Sequence, residues 1–93
     1  METSGIKAKI LYKMLRHKWI GGRHTHEDNL RKGFDRVTYP LIEGAIDALK
    51  KEGFFRIHKK PDGIHLALEP RKVSEANALV SKWSNEEWLE PQY

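Results

Sequence analysis

A small α+β fold is the expectation for this chain, and three stretches carry it. In TYPLIEGAIDALKKEG, residues 38–53, Leu41, Ile42, Ala45, Ile46 and Leu49 recur at helical spacing, with Pro40 in the first turn and Gly53 just past the last. FFRIHKKPDGIHLALEP, residues 54–70, then changes to a period of two. Phe55 and Ile57 on one strand share a face with Leu66 and Leu68 on the next, about a turn centred on Pro61 and Asp62. Ahead of both, from Ser4, Ile6, Ile10, Leu11, Met14 and Leu15 form one arc of a first helix. Its other side carries Lys9, Lys13 and Arg16.

The connections follow from local chemistry. His17 and Lys18 suit the negative end of the first helix dipole, and the chain is expected to leave it through Gly21 and Gly22, which accept positive φ. Residues 23–25 have room for a short strand. Thr25, followed three residues later by Asp28, has the form of a capping box, so a second helix of about two turns is expected through Asn29, Leu30, Arg31 and Lys32. It should end near Gly33, with Leu30 and Phe34 turned inward. Asp35, Arg36 and Val37 then bridge to Tyr39 and Pro40. After the hairpin, Pro70 opens a helix in which Val73, Ala76, Leu79, Val80 and Trp83 share a face; it either yields to a new cap at Ser84 or continues to Leu89 before Pro91.

Ninety-three residues suit a single domain, residues 1–93, with a core over about residues 6–70 and a C-terminal helix and tail over about 71–93. Without cysteine, neither disulfides nor thiolate zinc sites can support it. No apolar run approaches membrane-spanning length and the first residues lack a secretory pattern, so a cytoplasmic protein is expected. The net charge of +4 conceals a division. Residues 1–60 hold fourteen Lys and Arg against seven Asp and Glu, whereas residues 61–93 hold three against six. Positive charge gathered on one part of a small domain is the electrostatic footprint of a polyanion partner.

The order of helix, short strand, helix, helix and hairpin, with YPLIEGAIDALKKEGFFRIHKKPDGIHLALEP as helix plus wing, resembles the winged helix-turn-helix DNA-binding class. HKWIGGRHTHEDNLRKGF also resembles a segment, HT-x-x-x-NL-x-KG, that recurs in small archaeal winged-helix proteins of undefined function. The resemblance covers roughly residues 6–83. It implies a three-helix helix-turn-helix core with a β-hairpin wing and an added C-terminal helix, the third helix presented to the major groove and the wing to the backbone or minor groove.

On the residues themselves, the third helix turns out Glu43, Gly44, Asp47, Lys50 and Lys51 with Tyr39 at its edge, two acids against two bases, and Asp47 and Lys51 are spaced to pair across one turn. Positive charge lies on the flanks: Arg56, His58 and Lys60 alternate away from Phe55 and Ile57, Lys59 sits near the tip, and Arg31, Lys32 and Arg36 precede the helix. Duplex DNA held mostly by its phosphates is therefore the expected partner of Arg31, Lys32, Arg36, Tyr39, Lys50, Lys51, Arg56, His58, Lys59 and Lys60. The alternative is a winged-helix adaptor for another protein. Leu79, Val80, Trp83, Trp88 and Leu89 carry more apolar surface than a terminal segment needs, and they form either a lid on the first helix or a homodimer or partner interface. His58 and His65 should face each other across the hairpin, with His24 and His26 on alternate residues, yet no complete ligand set is evident and no metal or other cofactor is expected. No nucleophile motif is present either, so no catalysis is expected.

Overall fold

The computed structural model describes residues 3–83. Helix α1, Thr3–His17, buries Ile6, Ala8, Ile10, Leu11 and Met14. Its exit meets expectation in part: Gly21 takes positive φ at 63° and Gly22 does not, while Lys18 already turns left-handed at φ 58°, and the Trp19 N–H returns to the Met14 carbonyl at 3.0 Å. A non-glycine residue there costs about 1 kcal/mol. Residues 19–21 offset that cost by sealing the end of the sheet: Leu68 N–H donates to Trp19 O at 2.8 Å and Gly21 N–H to Leu68 O at 2.9 Å.

Lys13 also sits differently from its expected place. Around a helix of 3.6 residues per turn it lies only about 20° from Ile6, inside the apolar arc rather than opposite it. Its side chain is buried, and Nζ donates to the backbone carbonyls of Asn29 and of Lys32, the latter at 2.7 Å. Burial first, then the charge of Lys32, bring its pKa down to about 8. An ammonium thus fastens the 29–32 turn to α1.

That turn is the remnant of the expected second helix. Thr25 is claimed by strand β1, Thr25–His26, and its Oγ1 accepts from Asn29 Nδ2 at 2.7 Å instead of capping a helix. His26 caps in its place, Nδ1 accepting from the Asp28 N–H, and only a short 3-10 helix, Glu27–Leu30, forms after it. Pairing of Thr25 with Leu66 in the sheet competes with helix initiation and wins.

Helix α2, Tyr39–Lys51, buries Ile42, Ala45, Ile46 and Leu49. Leu41 lies about 100° round the helix from Ile42 and is half exposed rather than in the core. Gly53 closes the helix at φ 81°, with Phe54 N–H returning to Leu49 O at 3.0 Å, as a glycine just past a helix should. Strands β2, Phe55–Lys60, and β3, Gly63–Leu68, form the antiparallel hairpin, and β1 pairs with the far side of β3 to give the order β1-β3-β2. The register sets Phe55 opposite Leu68, Ile57 opposite Leu66 and His58 opposite His65. Phe55, Leu66 and Leu68 are buried, but Ile57 is half exposed although it lies opposite Leu66, because β2 is an edge strand and β3 the central one. Helix α3, Val73–Lys82, comes after a 3-10 turn at Pro70–Lys72, buries Ala76 and packs Val73, Leu79 and Val80 against the core. Among the described residues no helix is long and apolar enough to cross a membrane.

Candidate nucleic-acid interface

The side of α2 that was expected to face a groove is largely neutralised. Glu43 accepts a hydrogen bond from Arg31 Nε, whose other arm reaches Asp28 Oδ1 at 2.7 Å, and Lys50 lies 3.7 Å from Glu27. The short 3-10 helix therefore runs beside α2 and its acids take up the nearby cations. The remaining exposed stripe is Pro40, Gly44, Asp47 and Lys51. Among the described residues Asp47 and Lys51 make no ion pair, contrary to their spacing: the paired charges of α2 are Glu43 and Lys50, each with a residue outside the helix. Tyr39 packs partly against the core.

The hairpin differs. Lys59 and Lys60 near its tip are exposed and carry no ion pair among the described residues, and the same holds for Lys32 and Arg36 on the approach to α2. Arg56, at the base of the hairpin, lies 3.3 Å from Glu69. Glu69 also accepts the Arg71 N–H, and that bond, followed by Arg56, holds its carboxyl below the usual range. Of the residues expected to contact phosphate, Lys32, Arg36, Lys51, Lys59 and Lys60 thus offer free charge. Arg31, Lys50 and Arg56 are matched by carboxylates.

Opposite residues on neighbouring strands share a face, so the register places His26, His65 and His58 side by side on the face turned away from Leu66, with Arg56, Lys60 and Ala67. His24, just before β1, joins them. Its ring centroid lies 4.7 Å from that of His58 and 4.9 Å from that of His65, and the two Nδ1 atoms of His24 and His65 are 2.9 Å apart. The far nitrogen of His65 meets both Asp62 oxygens, at 3.0 and 3.2 Å. This contact holds the Asp62 carboxyl below the ordinary aspartate range. His26 uses both ring nitrogens: Nδ1 accepts from Asp28 N–H, so Nε2–H donates to the Asp62 carbonyl at 2.9 Å. The wing turn is thereby tied to the start of the 3-10 helix. Gly63 makes room for this, since a Cβ there would come within 2.7 Å of His26 Nε2. His58 Nε2 is buried and has no hydrogen-bond partner among the described residues.

Among the described residues, no three His, Asp or Glu side chains are placed to hold one metal ion. Spacing alone sets His58 opposite His65 and His24 alternating with His26, and of the four only His58 belongs to the expected contact residues. Joining all four needs the strand order, which puts β1 beside β3 rather than at a distance, and Asp62 enters only through the turn. Leu79 and Val80 are partly spent on the core of their own chain; Trp83 is partly buried, and Trp88 and Leu89 lie outside the described residues. A groove of about 400 Å³ opens at the other end of the molecule's helical layer, lined by Ile6, Lys9, Phe34, Asp35, Leu41 and Ile42. Comparison of the chain with known protein families, with curated proteins and with solved structures finds no match in any of the three.

Proposed function

We propose that this chain is a winged-helix protein that binds duplex DNA, acting as a small regulator or chromosomal factor in the cytoplasm. The wing supplies most of the contacts, and they are to phosphates. The arrangement that supports the fold reading is a short strand between α1 and the next helical turn, completing the β1-β3-β2 sheet beside a helix that leads directly into a hairpin. The observation that carries the DNA reading is the partition of charge. Lys59 and Lys60 are exposed and unpaired among the described residues near the tip of the hairpin, while Arg31 and Lys50 beside α2 are matched by acids.

Such a surface positions a duplex without reading many base edges, so specificity would be modest or come from DNA shape. A salt titration of binding to a duplex of arbitrary sequence tests it. Log affinity should fall linearly with log salt, with a slope near −0.9 for each phosphate neutralised, hence roughly −3 to −5 for this wing and its neighbours. Absence of binding at the lowest salt would end the DNA reading.

A second reading, a winged helix that docks another protein, is favoured by a different observation. Val37 is 85% exposed and Leu41 50% exposed, and Leu41 lines the groove beside Phe34 and Ile42. Under that reading the wing charges are dispensable for the complex.

A further inference from the structure

Phosphate contact through Lys59 and Lys60 does not need four imidazoles on the adjoining face. We propose that His24, His58 and His65, with Lys60 and Arg56, form a phosphate-binding face of the sheet whose hold on nucleic acid is coupled to proton uptake. This rests on the polyanion reading above and adds a site and a regulation to it.

The three rings come from three neighbouring segments, the residue before β1, β2 and β3, and the His24 ring lies against both of the others. Their protons are constrained. Asp62 favours a proton on His65 Nε2, which leaves His65 Nδ1 as acceptor for the proton on His24 Nδ1. Protonating both rings in this arrangement would set two N–H groups head to head at 2.9 Å, so the free protein resists a full charge on the cluster. Partial burial first, then the neighbouring His58 and His65 and the Lys60 ammonium, hold the His24 imidazole below the usual histidine range, with Asp62 opposing them.

The other groups facing the cluster are few. His26 lies 5.3 Å from His65, centroid to centroid, with the Asp28 carboxylate 3.5 Å from its Nδ1, and Arg56 at the base of β2 is paired with Glu69. Asp62 is thus the one carboxylate directly on these rings among the described residues. The face therefore sets rings whose joint protonation is opposed by the His24–His65 contact beside the Lys60 cation. A phosphodiester drawn to Lys59 and Lys60 supplies the negative charge that Asp62 alone does not, and imidazolium N–H groups are good donors to phosphate oxygen. Binding then raises the tendency of the rings to protonate, and by reciprocity protonation raises affinity.

The test is duplex affinity of the full chain at one low salt concentration, in chelator, at about pH 7.5 and about pH 5.5, on either side of the ordinary histidine value. Wild type should tighten about tenfold or more on acidification, corresponding to a mean linked uptake of about half a proton or more over the two pH units. His24→Gln combined with His65→Gln, whatever its affinity at the higher pH, should change less than about twofold between the two, whereas His17→Gln, whose ring stacks on Trp19 instead, keeps both the wild-type affinity and the full response. Equal tightening in wild type and the double variant, or none in either, overturns the proton-linked face while leaving DNA binding in place. No binding at either pH removes both. Should the double variant fail to fold, ring-proton NMR of wild type decides: the titration midpoints of His24 and His65 rise when duplex saturates the chain, and unchanged midpoints overturn the proposal.

Discussion

The side of α2 and the outer face of the sheet are built from similar numbers of ionisable residues, yet they manage charge in opposite ways. Along α2, two of the cations near the 3-10 helix meet acids: Arg31 is shared between Glu43 and Asp28, and Lys50 approaches Glu27. On the sheet, Asp62 meets His65 and Asp28 approaches His26, while Lys59 and Lys60 carry no ion pair among the described residues. A helix face whose charges cancel holds its neighbours in place. A face whose charge is unspent, and can be increased by protonation, is suited to meet an anion. If one of the two regions contacts phosphate, this difference assigns the role to the wing, although in a helix-turn-helix layout the helix would be the first choice.

The sharpest way to break that comparison is to reverse charge at the tip. Lys59→Glu with Lys60→Glu, four units of charge in all, should lower duplex affinity by about a hundredfold or more at low salt and flatten its salt dependence by about two contacts. Asp47→Asn on α2 should change affinity less than about threefold, because one exposed carboxylate acts through well-screened solvent. Filter binding or fluorescence anisotropy at two salt concentrations measures both. If Asp47→Asn produced the larger change, the helix would be the contact surface and the assignment would be inverted. A protein complex that survives the tip reversal would favour docking through the groove beside Leu41.

A glycine in each region extends the comparison to stability. Gly63 sits at φ 128° with His26 Nε2 in the space a Cβ would need, so Gly63→Ala should cost about 2 kcal/mol and lower Tm by about 10 °C. The loss comes from two sources, backbone strain and displacement of the His26 ring from the Asp62 carbonyl. Thermal unfolding followed by circular dichroism reads the sum. A variant as stable as wild type would mean that His26 does not tie the wing to the 3-10 helix, and the separate behaviour of the two regions would lose its structural basis.

Much of this architecture was legible in the residues, for identifiable reasons. Ile42, Ala45, Ile46 and Leu49 repeat at helical spacing over a full thirteen-residue element with Pro40 and Gly53 marking its ends, so periodicity and punctuation agreed. The Pro61-Asp62 turn fixed the pairing of His58 with His65. What was not legible depended on tertiary competition. Thr25 carries a good capping signal, but its partner Leu66 lies forty-one residues away, and strand pairing displaced the helix. Lys13 falls within the apolar arc by spacing alone, so its inward side was legible, but its partners, the carbonyls of Asn29 and Lys32, were not. Ile57 obeyed the alternation and still stayed half exposed, because period two reports which face a residue is on and not how far the covering layer extends. The site was legible in part for the same reason: single cations could be named, but which of them meet an acid depends on contacts such as Arg31 with Glu43 that no spacing rule supplies.

Gly44 carries the smallest effect and the most direct comparison. It lies inside α2 on the exposed stripe, and nothing stands within 4 Å of a Cβ added there. Gly44→Ala should therefore stabilise the chain by about 0.5–1 kcal/mol, since alanine loses less backbone freedom on entering a helix. Denaturant unfolding would show a higher midpoint at unchanged slope. Its value lies in pairing that gain with a binding measurement. If the wing makes the contacts, the added methyl leaves duplex affinity within about twofold, because a solvated helix face has no neighbour to meet it. If α2 instead lies close against a duplex, a glycine in mid-helix would be there to let the backbone approach, and the methyl would cost affinity while still adding stability. A variant that is more stable and binds as before places the contact on the sheet; one that is more stable and binds poorly returns it to the helix.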